Sequence, residues 1–389
     1  MQLPDSTAPN LSLCHPTLAE RYATWTLNSK TWGTALGLKP YLDRELHMAT
    51  TPLTRDGGLT YWILVDRHSP PDSRAILGSM ETIRKRALVA KNGQVKEVIT
   101  HGIGSVFCNP EYRGRGYAGR MLREAGHTLK SWQTDKDIPG REECEFSFLY
   151  SDIGKKYYAK HGWLPFPSTH IFFPASTPSA AKNGASTTNG YTNGISETAA
   201  LLKSEDIEAL CALDETYIRK KLAQVKDCET HVALIPDHST MQWHHMREDF
   251  VTSHLFPKTP TTRGAIAGTP GKRVWAIWTR SFYGPVDKVE SGNTLHFLRL
   301  VVEDEVDVEG NTVKLRAIVS MAQREAAEWK CKGVEMWNPT RGVRELVEGM
   351  GLEHREVERE AESIASLMWY GEGRGEDLVW VGNEKFGWC

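Results

Sequence analysis

Between Pro110 and Met121 the chain reads PEYRGRGYAGRM. Two arginines, Arg113 and Arg115, stand among Gly114, Gly116 and Gly119. The chemistry open to such a stretch is anion binding. Where a strand turns into a helix, the first helical turn leaves backbone N–H groups unpaired at the positive end of the helix dipole. Glycines let those groups approach phosphate oxygens, and guanidinium groups add charge. The same letters spell G-x-G-x-x-G, a dinucleotide-binding turn. That reading needs an acid about 20 residues on, at the end of the next strand, to hold a ribose. Asp135 and Asp137 fall at that distance but inside a polar loop, and the next expected strand ends only at Asp152. Shifted by one residue, Arg113 to Ala118 reads R-x-x-G-x-A instead. The bland alternative is a glycine-rich helix start with solvated arginines.

Other chemistry-bearing residues are weaker signals. Cys108 and His101 could form a Cys–His pair. Seven residues along a strand, however, put them about 23 Å apart and on opposite faces. His244, His245 and His254 lie in a stretch that reads as helical. Adjacent histidines there diverge by about 100°, and no thiolate or carboxylate cluster completes a site. No metal is expected.

The elements that must position the loop follow from periodicity. LTYWILVD (59–66), AILGSMETIRKRALV and VITHGIGSVFCNP (98–110) read as strands. Gly102 and Gly104 interrupt the last one, which marks a bulge or a close approach by another backbone or a ligand. From Gly114 to Trp132 the period is helical, with Ala118, Met121, Leu122, Ala125 and Leu129 on one face. CEFSFLYSD is a strand, and IGKKYYAKHGWLPF a helix ending at Gly162 and leading into a strand. The stretch from Pro174 to Ala199 is rich in Ser, Thr, Gly, Asn and Ala and poor in large apolar residues. It reads as a flexible linker. Beyond it, strand, strand, helix, strand, helix, strand repeats the outline of the first half. The equivalent turn, VEDEVDVEGNTVKL, is acidic and unsuited to a pyrophosphate. The expected division is a tail at 1–16, a catalytic domain at 17–174, a linker at 175–198 and a degenerate copy at 199–389.

Composition sets wide bounds. The chain has 389 residues, 40% hydrophobic and 25% charged, with a net charge of -2. That balance argues against nucleic acid or an anionic membrane surface as the main partner. Thirteen tryptophans predict an aromatic-rich core and pocket. Seven scattered cysteines form no C-x-x-C pair, which fits a reducing compartment. The first residues lack a basic start and apolar run, and no stretch approaches a membrane span. A cytoplasmic location is expected.

The loop and its surroundings resemble the GNAT (Gcn5-related) N-acetyltransferase superfamily. GSVFCNPEYRGRGYAGRML is similar to that family's fourth strand, pyrophosphate loop and third helix. FSFLYSDIGKKYYAKHGW is similar to its fifth strand and fourth helix. Across both halves, LNSKTWGTALGLKPYLDRELHM, PLTRDGGLTYWILVD, METIRKRALV and MQWHHMREDF resemble the fungal lysine N6-acetyltransferase (Lyc1-type) family. The resemblance implies an α/β GNAT fold: a central mixed, mostly antiparallel sheet flanked by helices, followed by a degenerate GNAT-like lobe. It implies acetyl-CoA as co-substrate and free L-lysine as acceptor, its side-chain amine attacking the thioester directly. It places the pyrophosphate on Arg113, Gly114, Arg115, Gly116, Tyr117 and Ala118, and pantetheine along Val106 and Phe107. Tyr158 corresponds to the residue that protonates the departing thiolate, although Ser151 stands where the family often has Asn. The base stays open among His101, Glu97, Glu81, a terminal carboxylate at Cys389 and water, with His101 preferred because imidazole titrates near neutrality. Glu81 could instead bind the substrate ammonium. Arg84, Arg86, Arg247 and Arg299 are candidates for its carboxylate. A protein-lysine, aminoglycoside or polyamine acetyltransferase, or a non-catalytic acyl-CoA-binding protein, are the alternatives.

Overall fold

The computed structural model describes residues 3–176 and 198–389; the expected linker lies almost wholly outside them. In chain order the first half contains β1 (Leu11–Cys14), α1 (Leu18–Trp32), α2 (Leu38–Met48), β2 (Leu59–Asp66), β3 (Gly78–Lys91) and β4 (Gln94–Phe107). It continues with α3 (Tyr117–Leu129), β5 (Cys144–Ser151), α4 (Lys156–Ala159), β6 (Leu164–Pro165) and β7 (Thr169–Pro174). The second half contains β8 (Ala200–Leu202), α5 (Ser204–Ala223), β9 (Thr230–Leu234), α6 (His238–Leu255), β10 (Gly264–Ala267), β11 (Val274–Ser281) and β12 (Thr294–Val302). It ends with α7 (Val308–Glu328), β13 (Gly333–Trp337), α8 (Arg341–Gly349), β14 (Arg355–Glu358), β15 (Ile364–Trp369) and β16 (Leu378–Val381).

Periodicity explains most of this. In β2, Trp62, Ile63, Leu64 and Val65 are buried in succession, as in a strand covered on both faces. On α3, Met121, Leu122, Ala125 and Leu129 are fully buried on one stripe. The helix expected near Lys155 is a single turn, α4. The acidic turn of the second half caps α7 through the Asp307 carboxylate, which accepts from Gly310 N.

Two sheets result, both mixed and mostly antiparallel. One runs β1-β2-β3-β4-β5-β15-β6, with β9 joined to β3 and β16 to β9; the other runs β14-β7-β13-β12-β11-β10-β8. The expected boundary at 174 divides the chain but not these sheets. β7 leaves the first half and pairs with β13 and β14. In return β15 pairs with β5 and β6, and β9 with β3. The physical reason is the exposed strand edge. Unpaired N–H and C=O groups seek a partner, and each half closes an edge of the other. A shared core of Ala87, Val98, Phe146 and Phe148 with Trp275, Ile277, Leu298 and Phe386 seals the contact.

Candidate active site

β4 is the strand on which the site is built. Asn92 and Gly93 take positive φ, 51° and 76°, in the two-residue turn before it, as Asn-Gly hairpins do. That turn fixes Lys91 opposite Gln94, hence Arg84 opposite His101 and Glu81 opposite Gly104. Then the register breaks. Ser105 has a φ of 51°, and Phe107 meets Ser79 only after a shift, which is a β-bulge. On its other edge β4 pairs in parallel with β5 from Ile99 to Ile103 only. The edge at Gly104–Phe107 has no β5 partner among the described residues. An extended acyl arm can add there as an extra strand beside Val106 and Phe107.

The loop follows. A short turn at Pro110–Tyr112 leads to Gly114 and Gly116, at φ values of 77° and 83°, the left-handed region that favours glycine. Gly116 caps α3 with no side-chain hydrogen bond, so its first-turn N–H groups have only the main chain to offer an anion. Arg113, Gly114, Arg115 and Gly116 are exposed and Ala118 half-buried. Tyr117 differs: its ring is buried and its hydroxyl donates to Pro4 O. Its contribution to an anion is therefore the backbone N–H. Arg113 Nε donates to Cys108 O at 3.2 Å. The residues fit a pyrophosphate.

On the opposite face of β4, Gly102 and Gly104 admit another segment. A Cβ on Gly102 would meet Cys389 Sγ at 2.7 Å, and one on Gly104 would meet the Cys389 carbonyl oxygen at 3.2 Å. Both readings of these glycines, bulge and close approach, apply. Lys385 to Cys389 threads between the lobes. Lys85 Nζ donates to Gly387 O at 3.0 Å and Phe386 O at 3.3 Å, and His244 Nε2 lies 3.1 Å from Phe386 O. Glu81 Oε1 sits beside this segment and accepts from Ser105 Oγ at 2.7 Å. Burial, then the charge of Glu45, pushes the Glu81 carboxyl up to about 7, against the partly offsetting Ser105 hydroxyl. Burial also pushes the Cys389 thiol up to about 11.

His101 points the other way. It is fully buried, its Nε2 bonds Trp132 O at 3.0 Å, and its Nδ1 has no partner. Burial holds it down at about 4. The preferred base is thus a neutral core histidine away from the Glu81 face. Arg84, directly opposite it, shares that face, so Glu81 and Arg84 are not brought together. The Asn-Gly turn already encoded this parity. Glu97 is tied up with Arg86 and Arg219. Cys108 Sγ donates to Leu77 O.

Tyr158 is buried beside Tyr157, ring centroids 5.4 Å apart. Burial raises its phenol well above the usual range. It shares a cluster with Val106, Ile103 and Leu149, next to the place where the β4–β5 pairing ends. Ser151 Oγ accepts from Ile153 N and donates to Gly154 O. A hydroxyl therefore holds the turn into α4 where an amide was expected.

The four arginines separate cleanly. Arg86 pairs with Glu97 and Glu215, and Arg299 with Asp214 and Glu384. Arg247 on α6 lies over the Trp388 ring at 5.4 Å. Ser105, Lys85, Lys385 and Trp388 were not singled out by the sequence. His245 bonds Trp278 O and His254 bonds Phe250 O. No described helix is long and apolar enough to cross a membrane.

Known proteins agree with this architecture. The chain is 25% identical over 272 residues to a lysine acetyltransferase of Yarrowia lipolytica, covering 64% of this chain and 66% of that one, a little under two thirds. An uncharacterized Saccharomyces cerevisiae protein, YGR111W, is 21% identical over 397 residues, covering 94% of each chain. A solved structure from Enterococcus faecalis V583, a conserved protein of unknown function titled a probable N-acyltransferase, shares the fold. Its TM-score is 0.53 at 10% identity, over 92% of this chain and 71% of that one. The family model described as the LYC1 GNAT-like C-terminal domain matches residues 175–389. That is more than half of the sequence, and the chain belongs to the LYC1-like GNAT family.

Proposed function

We propose that the protein is an acetyl-CoA-dependent N-acetyltransferase that acetylates the side-chain amine of free L-lysine. The observation that carries this reading is Glu81: a carboxyl titrating near 7, beside the β4 bulge. A lysine ammonium, with a pKa of about 10.4, must lose a proton before its nitrogen can attack. Glu81 is poised to take it.

The remaining roles follow from position. The N–H groups opening α3 and Arg113 and Arg115 hold the pyrophosphate. A main-chain N–H at Val106 or Phe107 hydrogen-bonds the thioester oxygen as it gains charge. The C–N bond forms, the C–S bond breaks, and the Tyr158 phenol donates to the departing sulfur. Over the reaction the amine loses two protons, one ending on CoA sulfur and one in solvent. The seven cysteines are all unpaired, which suits a reducing compartment such as the cytoplasm.

A thiol-release assay across an amine panel tests the reading. CoA should be released with L-lysine. Release only with a peptide, an aminoglycoside or a polyamine would sink the lysine assignment. Binding without any turnover would support an acyl-CoA-binding protein instead.

A further inference from the structure

The cations around the Lys385–Cys389 segment differ from those elsewhere in the chain. Several buried arginines are paired with acids: Arg263 with Glu248 and Asp249, Arg280 with Glu248 and Glu325, Arg299 with Asp214 and Glu384, whereas Arg359, over Trp337 at 3.9 Å, meets only the Thr169 carbonyl. Arg247 and Lys385 have neither a carboxylate within 4.0 Å nor a hydrogen-bond partner among the described residues. Lys385 is 2% exposed, and its Nζ lies 4.1 Å from the Trp388 ring centroid and 4.3 Å from that of Trp337. The Arg247 guanidinium lies over the same Trp388 ring.

A fully buried, unpaired lysine beside a half-buried, unpaired arginine on one indole is costly to keep. Their retention calls for a visiting anion. Burial pulls Lys385 down to about 7 and Arg247 down to about 10, the direction expected of cations with no counter-charge. The neighbouring carboxylates have other partners: Glu335 has Lys332 and the Trp337 indole N–H, and Glu45 has Arg44.

The position identifies the anion. Trp388 precedes Cys389, whose main chain lies beside Gly104 and Glu81. Arg247 is near enough to Glu81 to ease its ionisation. From Cα to Nζ an extended lysine spans roughly 6 Å, from bonds of about 1.5 Å. An acceptor whose carboxylate lies at Trp388 has that length over which to extend its amine past Cys389 toward Glu81.

We propose that Arg247 and Lys385, held against Trp388, bind the α-carboxylate of the acceptor, so that the site selects a free amino acid over a simple diamine. This rests on the free-lysine reading and adds the residues that make it specific.

Turnover of L-lysine is compared with that of 1,5-diaminopentane, which is lysine without its carboxylate. Arg247→Met and Lys385→Met should each raise KM for lysine, lowering kcat/KM about 10- to 100-fold. They should leave the diamine within about threefold on the pH plateau above the Glu81 limb, where the loss of Arg247's aid to that ionisation is not felt. Equal losses for both amines overturn the proposal. Acetyl-CoA must still raise Tm in each variant, which separates a lost contact from a lost fold. If wild type acetylates neither amine, the lysine reading has failed, and binding alone decides the inference. Norleucine, which keeps the carboxylate and lacks the ε-amine, should raise the Tm of the acetyl-CoA complex, whereas pentylamine should not. Arg247→Met should abolish that rise. No norleucine shift in wild type, or one that survives Arg247→Met, overturns the proposal.

Discussion

Ser105 Oγ donates to Glu81 Oε1 across the β3–β4 bulge at 2.7 Å. The bond stabilises the ionised carboxylate and opposes the larger effect of burial. Removing the hydroxyl, Ser105→Ala, should therefore move the Glu81 pKa further above 7. A hydroxyl's bond to an ionised carboxylate is worth about 1 kcal/mol more than its bond to the neutral acid, so the acid limb of kcat/KM should shift up by roughly half a unit to one unit. A limb that stays in place would mean that Glu81 is not the base.

Glu81→Gln should lower kcat/KM by about 10²- to 10⁴-fold, the usual worth of a positioned base. Stability should move the opposite way. The folded carboxyl titrates at about 7, against an ordinary value of 4.5. Between those values the folded chain holds more protons than the unfolded one, so wild-type stability falls as pH rises from 4.5 to 7. The glutamine variant escapes that loss. It should match wild type near pH 4 and exceed it at pH 8, by up to about 3 kcal/mol. Denaturant titrations at the two pH values check this.

His101→Leu should leave the pH profile of kcat/KM unchanged, because His101 faces Trp132 rather than Glu81. Its effect should appear in stability, in either direction, by about 1 kcal/mol. The variant loses a hydrogen bond but also removes the unpartnered Nδ1. A lost acid limb in this variant would return His101 to the mechanism.

Gly102→Ala should destabilise the protein by about 1–3 kcal/mol through overpacking. The new methyl meets Cys389 Sγ at 2.7 Å and Phe148 Cζ at 2.9 Å. Adding Cys389→Ala should recover part of that loss. A double-mutant cycle on melting temperatures measures the coupling, and strict additivity would mean that Cys389 does not lie against β4.

Gly114→Glu tests the anion loop. A Cβ there has nothing within 4 Å, so the variant pays for its positive φ, about 1–2 kcal/mol, without a clash. The added carboxylate should weaken acetyl-CoA at least tenfold, about 1.4 kcal/mol. Undiminished thermal protection by acetyl-CoA would remove the loop from the site.

Much of this was legible in the chain itself. The glycine loop that opens α3 was readable because strand, glycines and helix are local and their order is fixed by periodicity. The face on which each residue of β3 and β4 stands was also encoded, in the Asn92-Gly93 turn. Counting outward from that turn pairs Arg84 with His101 and Glu81 with Gly104. What could not be read was what lies across the sheet. His101 acquires its role from Trp132, Glu81 from Glu45 and Ser105, and Arg247 from Trp388, more than a hundred residues away in sequence. An imidazole's ordinary pKa favoured His101 in the sequence; its burial against Trp132, which lowers that pKa, carries no local signal. The pairing of β7 with β13 and of β15 with β5 depends on long-range edge closure, for which strand periodicity carries no signal.

That exchange of strands binds the two halves independently of their covalent connection. A chain cut between residues 177 and 197 would still be stitched together by β7 in one sheet and β15 in the other. Its two fragments should migrate as one particle until the sheets themselves melt. By the same topology, neither half is a transplantable module. A gene truncated at the midpoint would yield a sheet with a bare edge, and the loop that opens α3 would be expressed on an unfinished scaffold.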